Sequence, residues 1–147
     1  MSESTNPTLT IIRGLPGSGK SQLGRKLAAE RGCLFVEPDM FMVKNGQYRY
    51  APKHYESAEI IATSCIFKAA ETNADAIFAD VLPKIADVNR VKNLYWNGTC
   101  YHDYNLVVID MPLLTVEQSM ERNKHNVRRE DIEQMAAQWE PWRGGGK

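Results

Sequence analysis

The chain has 147 residues, 43% of them hydrophobic and 24% charged, and its 18 basic side chains balance 18 acidic ones. This composition excludes a predominantly disordered chain, because enough apolar surface is present to offset chain entropy. The zero net charge excludes a whole-chain role as a nucleic-acid coat or a membrane-surface binder. No apolar run approaches the roughly 18 residues of a membrane span, and the N-terminal MSESTNPT has no signal-peptide pattern. A cytoplasmic, soluble protein of one domain (1–147) is expected, with residues 1–7 and 143–147 as flexible ends.

In chain order, Thr8 to Arg13 (TLTIIR) is a β-branched run that predicts a strand. Gly14 to Gly19 is glycine-rich, and from Lys20 the pattern turns helical through Leu23, Leu27 and Ala28, with Gly32 placed for a C-terminal cap. Cys33 to Val36 predicts a second short strand, and Ala58, Ile61, Cys65 and Ala69 predict a helix over about 55–71. Ala74 to Val81 reads as a third strand, and Ile85, Val88 and Val91 as a short helix after Pro83. Asn105 to Asp110 (NLVVID) is a continuous apolar run, which predicts a strand buried on both faces. Thr115 and Gln118 form a capping-box pattern opening another helix. A last helix runs from Glu130 to Glu140, with Ile132, Met135, Ala136 and Trp139 on one face and Pro141 as the stop. Alternating strands and helices predict an α/β fold: a three-layer domain with a short, mainly parallel sheet flanked by helices.

Three cysteines, Cys33, Cys65 and Cys100, lack CxxC spacing and are expected as reduced, mostly buried thiols. His54, His102 and His125 share no ligand spacing with them, so no structural metal is expected. Asn97-Gly98-Thr99 matches a glycosylation sequon but reads as a surface turn. The aromatic group Tyr95, Trp96, Tyr101 and Tyr104 reads as core and loop packing rather than a stacking platform, since little basic charge is interleaved with it.

The chemistry is carried by Gly14-Leu15-Pro16-Gly17-Ser18-Gly19-Lys20-Ser21, which satisfies GxxxxGK[ST] between a predicted strand and a predicted helix. In such a loop, glycines allow the backbone dihedrals and close approach that turn successive N–H groups toward phosphate oxygens. The helix N-terminus adds its positive dipole end. Lys20 is expected to reach the β- and γ-phosphates and Ser21 to complete a Mg²⁺ shell. A dinucleotide fingerprint is excluded, because Gly17-Ser18-Gly19 is followed by Lys20, Ser21 and Gln22. Asn123-Lys124 continues as His125-Asn126 with no aspartate, which lacks the guanine-reading pattern and favours ATP as the nucleoside triphosphate.

Asp39 follows the second strand at the carboxyl edge of the sheet. It is the expected general base for an attacking hydroxyl, with a helix cap or a Mg²⁺-shell carboxylate as the other readings. Asp80 and Asp110 both end apolar strands. Asp80 is the expected Mg²⁺-orienting carboxylate, because the third strand can pack beside the phosphate-loop strand, and Asp110 reads as a strand-end cap. Residues 121–130 (ERNKHNVRRE) carry four basic and two acidic side chains and suggest a lid, with Arg122 as the leading phosphate contact. Arg128 and Arg129 are further lid or substrate contacts. Tyr48 and Tyr50, in GQYRY, either pack on one face of a turn or stack on a substrate ring.

These segments together resemble small P-loop kinases similar to the kinase domain of phage polynucleotide kinase, an AAA-like group. The match runs from IIRGLPGSGKS through EPDMF and GQYRY to ERNKHNV and RREDIEQMAAQWE. The resemblance implies Asp39 as general base on the acceptor hydroxyl, Asp80 as the aspartate opening the family's Asp-Thr-Asn type segment, and Arg122 as the lid arginine. Three departures stand out: Val81-Leu82-Pro83 replaces the usual polar residues, Met40 replaces a second aspartate, and Met42 stands where an arginine meets the nucleic acid. The expected function is ATP- and Mg²⁺-dependent transfer of the γ-phosphate to a hydroxyl, with a polynucleotide 5′-hydroxyl as the nearest model. A nucleoside or small-molecule kinase is one alternative. A nucleotide-binding regulatory or host-interaction protein that binds or hydrolyses ATP without transfer is another.

Overall fold

The computed structural model describes residues 6–44, 47, 48, 52–123 and 127–143. Most of the two expected flexible ends and the middle of the expected lid lie outside these residues.

The β-branched runs form β1 (Thr8–Arg13), β2 (Leu34–Val36), β5 (Ala76–Asp80) and β6 (Asn105–Asp110), all parallel, in the order β2-β5-β1-β6. A two-stranded antiparallel ribbon, β3 (Val43–Lys44) and β4 (Gln47–Tyr48), is a separate element that the periodicity did not announce. α1 (Lys20–Arg31) covers one face through Leu23, Leu27 and Ala28, which pack with Ile12, Ile77 and Ala79. The close approach has a cost in side-chain choice: a Cβ on Gly24 would fall 2.1 Å from the Phe35 ring. α2 (Pro52–Glu71) and α3 (Ile85–Gly98) cover the other face over Leu9, Ile11, Ala76 and Phe78. The buried residues of β1 and β5 form the centre of the core, each large aliphatic side chain contributing about 1.5–3 kcal/mol through burial. α4 (Val116–Arg122) and α5 (Arg129–Gln138) complete the chain, and Thr115 and Gln118 make the expected reciprocal cap of α4. Among the described residues no helix is long and apolar enough to cross a membrane.

Three expectations are corrected. β6 is an edge strand, so its apolar run is only half covered: Leu106 and Val108 pack toward α2 and α3, Ile109 packs toward α1, and Val107 is exposed. A continuous apolar run reports two apolar faces but not how far the flanking layers extend. The helix after Pro83 is not short but runs 14 residues, because the Ile85-Val88-Val91 spacing continues to the buried Tyr95. The cysteines are free but not buried: Cys33 and Cys65 are half-buried and Cys100 is exposed. The aromatic group packs as expected, with Tyr95 and Tyr104 ring centroids 5.1 Å apart and the Tyr95 hydroxyl donating to Ala74 O at 2.7 Å. It sits before the N-terminal ends of β5 and β6.

The opposite, carboxyl end of the sheet is organised by a residue that looked unremarkable as a strand terminus. Arg13 is fully buried, in register with Asp80 on one side and Asp110 on the other. Its guanidinium pairs with Asp110 at 3.1 Å and donates to the carbonyls of Leu82, Pro83 and Glu140, while Trp139 lies over it at 4.5 Å. Leu82 is held at φ 47°, a left-handed conformation that costs a branched residue roughly 1–2 kcal/mol, and its carbonyl receives two of the Arg13 donors. Arg13→Met keeps the volume but takes the donor from the Leu82, Pro83 and Glu140 carbonyls and the ion-pair partner from Asp110, which keeps the Trp142 N–H. The expected loss in urea-unfolding stability is at least about 2 kcal/mol, since buried carbonyls left without a donor cost about 1–3 kcal/mol each; a loss under about 1 kcal/mol, the size of one ordinary hydrogen bond, would show that Arg13 does not hold this end together.

Candidate active site

The carboxyl ends of β1 and β5 open into a cleft of about 1220 Å³. Its floor is the loop between β1 and α1. Gly17 adopts φ 82°, and a Cβ there would sit 2.6 Å from the Arg122 Cβ, so only glycine lets the end of α4 lie this close. One turn earlier on the same helix, the Ser119 hydroxyl fixes α4 to the loop by donating to Pro16 O at 2.6 Å. Arg122 is exposed, lines the cleft, and stands over the loop from a helix already docked against it. Within the loop the Ser18 hydroxyl is buried without a hydrogen-bond partner.

The Lys20 ammonium bends back onto the loop, donating to Gly14 O at 2.9 Å and Leu15 O at 3.2 Å. Burial pulls its pKa down, opposed by the charges of Asp80, Asp39 and Glu37. The Ser21 hydroxyl donates to Glu37 Oε1 at 2.7 Å. Asp39 is half-buried in the single 3₁₀ turn Pro38–Phe41 after β2 and faces the cleft. The N-cap of that turn is Glu37, so Asp39 is not the cap. Asp80, last in β5, accepts from the Val81 N–H at 2.8 Å and from the Tyr55 hydroxyl. Burial drives its carboxyl up to about 7, against the pull of those hydrogen bonds and with help from Glu59 and Asp39. The same burial and the Asp80 charge hold the Tyr55 phenol far above its ordinary value.

Lys20, Ser21, Asp39, Asp80 and Arg122 therefore share one cleft, together with Gly17, Gly19 and Pro16. Gly14, Leu15 and Ser18 belong to the loop beneath it. Arg128 and Arg129 are not among the cleft residues: Arg128 pairs with Asp131 at 3.1 Å, and Arg129 pairs with Glu117 and Glu133, tying α4 to α5 at the surface. Asp110 is engaged by Arg13 and by the Trp142 N–H. Tyr50 and the side chain of Tyr48 lie outside the described residues.

Sequence reasoning missed Glu37, Tyr55, Glu59, Asp87 and Arg90, which also line the cleft. Arg90 bridges Glu59 of α2 and Asp87 of its own helix at 3.1 and 3.2 Å. Only Glu37 carried a usable signal, a carboxylate directly after an apolar strand; the rest meet through packing of α2 on α3. Among the described residues no three His, Cys, Asp or Glu side chains group into a metal site of their own. The oxygen donors present suit Mg²⁺, which is commonly held by one or two carboxylates together with substrate phosphates.

A parallel sheet whose first strand opens into GLPGSGKS and then a helix is the P-loop NTPase/kinase fold. The chain belongs to the AAA domain family, whose sequence model matches residues 9–142. Among solved structures it resembles a chain of the Pnkp1/Rnl/Hen1 RNA repair complex, with 22% identity and a TM-score of 0.67 over 93% of this chain and 45% of that one. It also resembles a gluconokinase from Sinorhizobium meliloti, with 15% identity and a TM-score of 0.61 over 95% of this chain and 78% of that one. The uncharacterized protein PM0531 of Pasteurella multocida (strain Pm70) is 40% identical over 62 residues, 37% of this chain and 35% of that protein. The chain thus spans about a third of that relative and under half of the RNA repair chain. The two structural likenesses establish the fold.

Proposed function

We propose that the chain is an ATP-dependent phosphotransferase that moves the γ-phosphate to a hydroxyl. The supporting observation is the single cleft in which a phosphate loop, the half-buried Asp39 and the docked Arg122 converge. The loop N–H groups, with Lys20 and the partnerless Ser18 hydroxyl, cradle the triphosphate. Asp39 takes the proton of the acceptor hydroxyl as that oxygen bonds to the γ-phosphorus. The bond from the γ-phosphorus to the bridging oxygen breaks, and ADP leaves. Arg122, reaching in from α4, meets the charge spread over the transferring group. Ser21 and a cleft carboxylate would hold Mg²⁺, which would supply neutralisation of the triphosphate's charge. Residues 1–147 act as one domain in this reading, with 121–130 as its lid.

A polynucleotide 5′-hydroxyl is the nearest model for the acceptor, in keeping with the segments that resemble polynucleotide kinase. Two observations favour a nucleoside or other small hydroxyl compound instead. Met42, at the position of the substrate arginine, is buried at 3% exposure. The Leu82 and Pro83 carbonyls are likewise used by Arg13. Incubation with γ-labelled ATP, Mg²⁺ and a panel of 5′-hydroxyl DNA and RNA, nucleosides and small polyols tests the proposal. Label appearing in one acceptor class is the expected result; label appearing only as inorganic phosphate, or not moving, contradicts transfer.

A further inference from the structure

We infer that Glu37 is the carboxylate through which this chain holds the divalent cation of the bound triphosphate, the role expected of Asp80 from its place at the end of the third strand. The inference rests on the nucleotide-binding reading above and names a residue of that same site. Glu37 is 5% exposed and lines the cleft, at the junction of β2 and the 3₁₀ turn. Its Oε1 accepts the Ser21 hydroxyl at 2.7 Å, and its Oε2 is buried with no hydrogen-bond partner. A buried carboxylate oxygen left unanswered is costly unless a ligand answers it. By accepting the Ser21 hydrogen bond, Glu37 also leaves the serine lone pairs directed away from itself, available to a cation. Glu37 lines the same cleft as Lys20. Asp80 is engaged differently. Tyr55 from α2 and the Val81 N–H both donate to its Oδ1, which binds it to the α2 wall of the cleft. One hard oxygen-rich corner, Ser21 with Glu37, therefore fits a small cation that completes its shell with phosphate oxygens and water.

The test is calorimetric and does not depend on turnover. ATP affinity is measured with Mg²⁺ and with EDTA, and the ratio of the two reports the cation's contribution. Glu37→Gln, nearly isosteric and still able to accept the Ser21 hydroxyl, is expected to lower that ratio about 10- to 100-fold, the scale seen when a metal site loses a supporting group. Its ATP affinity in EDTA is expected to hold or rise, since a negative charge near the phosphates is gone. Asp80→Asn is expected to keep the ratio of the unmutated chain. An unchanged ratio in folded Glu37→Gln, or a ratio lost in Asp80→Asn, overturns the inference. If Glu37→Gln lacks a cooperative thermal transition, Glu37→Asp decides: it keeps the charge but shortens its reach by one methylene. Its ratio falls if Glu37 serves the cation and stays if it does not. Failure of the unmutated chain to bind ATP under either condition would instead overturn the proposed function.

Discussion

Arg122→Ala is expected to slow phosphoryl transfer by about 10³–10⁵ while changing KM for ATP far less, the range spanned by a supplied arginine in related chemistry. The reason is that charge on the transferring group grows toward the transition state, so a cation placed there acts on kcat rather than on ground-state binding. The structure gives this residue an unusual degree of placement for an exposed side chain. Its Cβ lies against Gly17, and its helix is fixed to the loop through Ser119 and Pro16. Arg122→Lys is expected to recover little, because an ammonium does not reproduce the planar fork of donors. Gly17→Ala is a related probe: its Cβ would press on Arg122, so it should impair the same step even with the arginine intact. Wild-type turnover in Arg122→Ala, measured at saturating ATP and acceptor, would remove the residue from the mechanism.

Asp39→Asn is expected to leave Mg·ATP affinity and thermal stability near those of the unmutated chain and to cut transfer by about 10²–10⁴, the usual worth of a positioned base. Asparagine keeps the shape and one acceptor oxygen but takes no proton at neutral pH. Asp39 sits inside the 3₁₀ turn rather than at its N-cap, so loss of a cap is not available as an explanation of a defect. The competing role is a metal-shell carboxylate, in which case Mg·ATP affinity falls along with turnover. Parallel measurement of affinity and acceptor phosphorylation on this one variant separates the two. Unchanged transfer would contradict both.

The sheet and the phosphate loop were legible because both are written in local sequence. β1, β5 and β6 are β-branched or apolar runs, α1 follows from Leu23, Leu27 and Ala28, and the loop chemistry lies in eight consecutive residues. β5 lies beside β1 as expected, but so does β6, and adjacency alone does not separate Asp80 from Asp110; what separates them is that Asp80 lines the cleft while Asp110 is engaged by Arg13. What stayed hidden depends on tertiary approach. Arg13 reads as a polar strand end, yet it is fully buried because three backbone carbonyls and Asp110 converge on it from three distant segments. Tyr55 has no motif; it meets Asp80 only because α2 packs over the end of β5. Arg128 and Arg129 looked like lid cations in a basic run, but acidic partners three or four residues away and on α4 engage them at the surface. Short-range charge pairing along a helix competes with any more distant ligand, and a run of like charges in sequence conceals it.

The proposed chemistry depends on the β1–α1 loop holding a nucleoside triphosphate, and titration of Mg·ATP into the unmutated chain and Lys20→Ala tests that most directly. In the empty protein the ammonium bonds two carbonyls of its own loop and bears a burial penalty, so its removal is expected to leave the thermal transition nearly unchanged. In the complex it is the one side-chain cation rooted in the loop itself, and charge-assisted hydrogen bonds of about 1.5–3 kcal/mol correspond to roughly 10- to 100-fold in affinity. The expected result is therefore tight Mg·ATP binding by the unmutated chain and at least about tenfold weaker binding by a fully folded Lys20→Ala. Equal affinities in the two folded proteins, or no binding to the unmutated chain, would contradict the account.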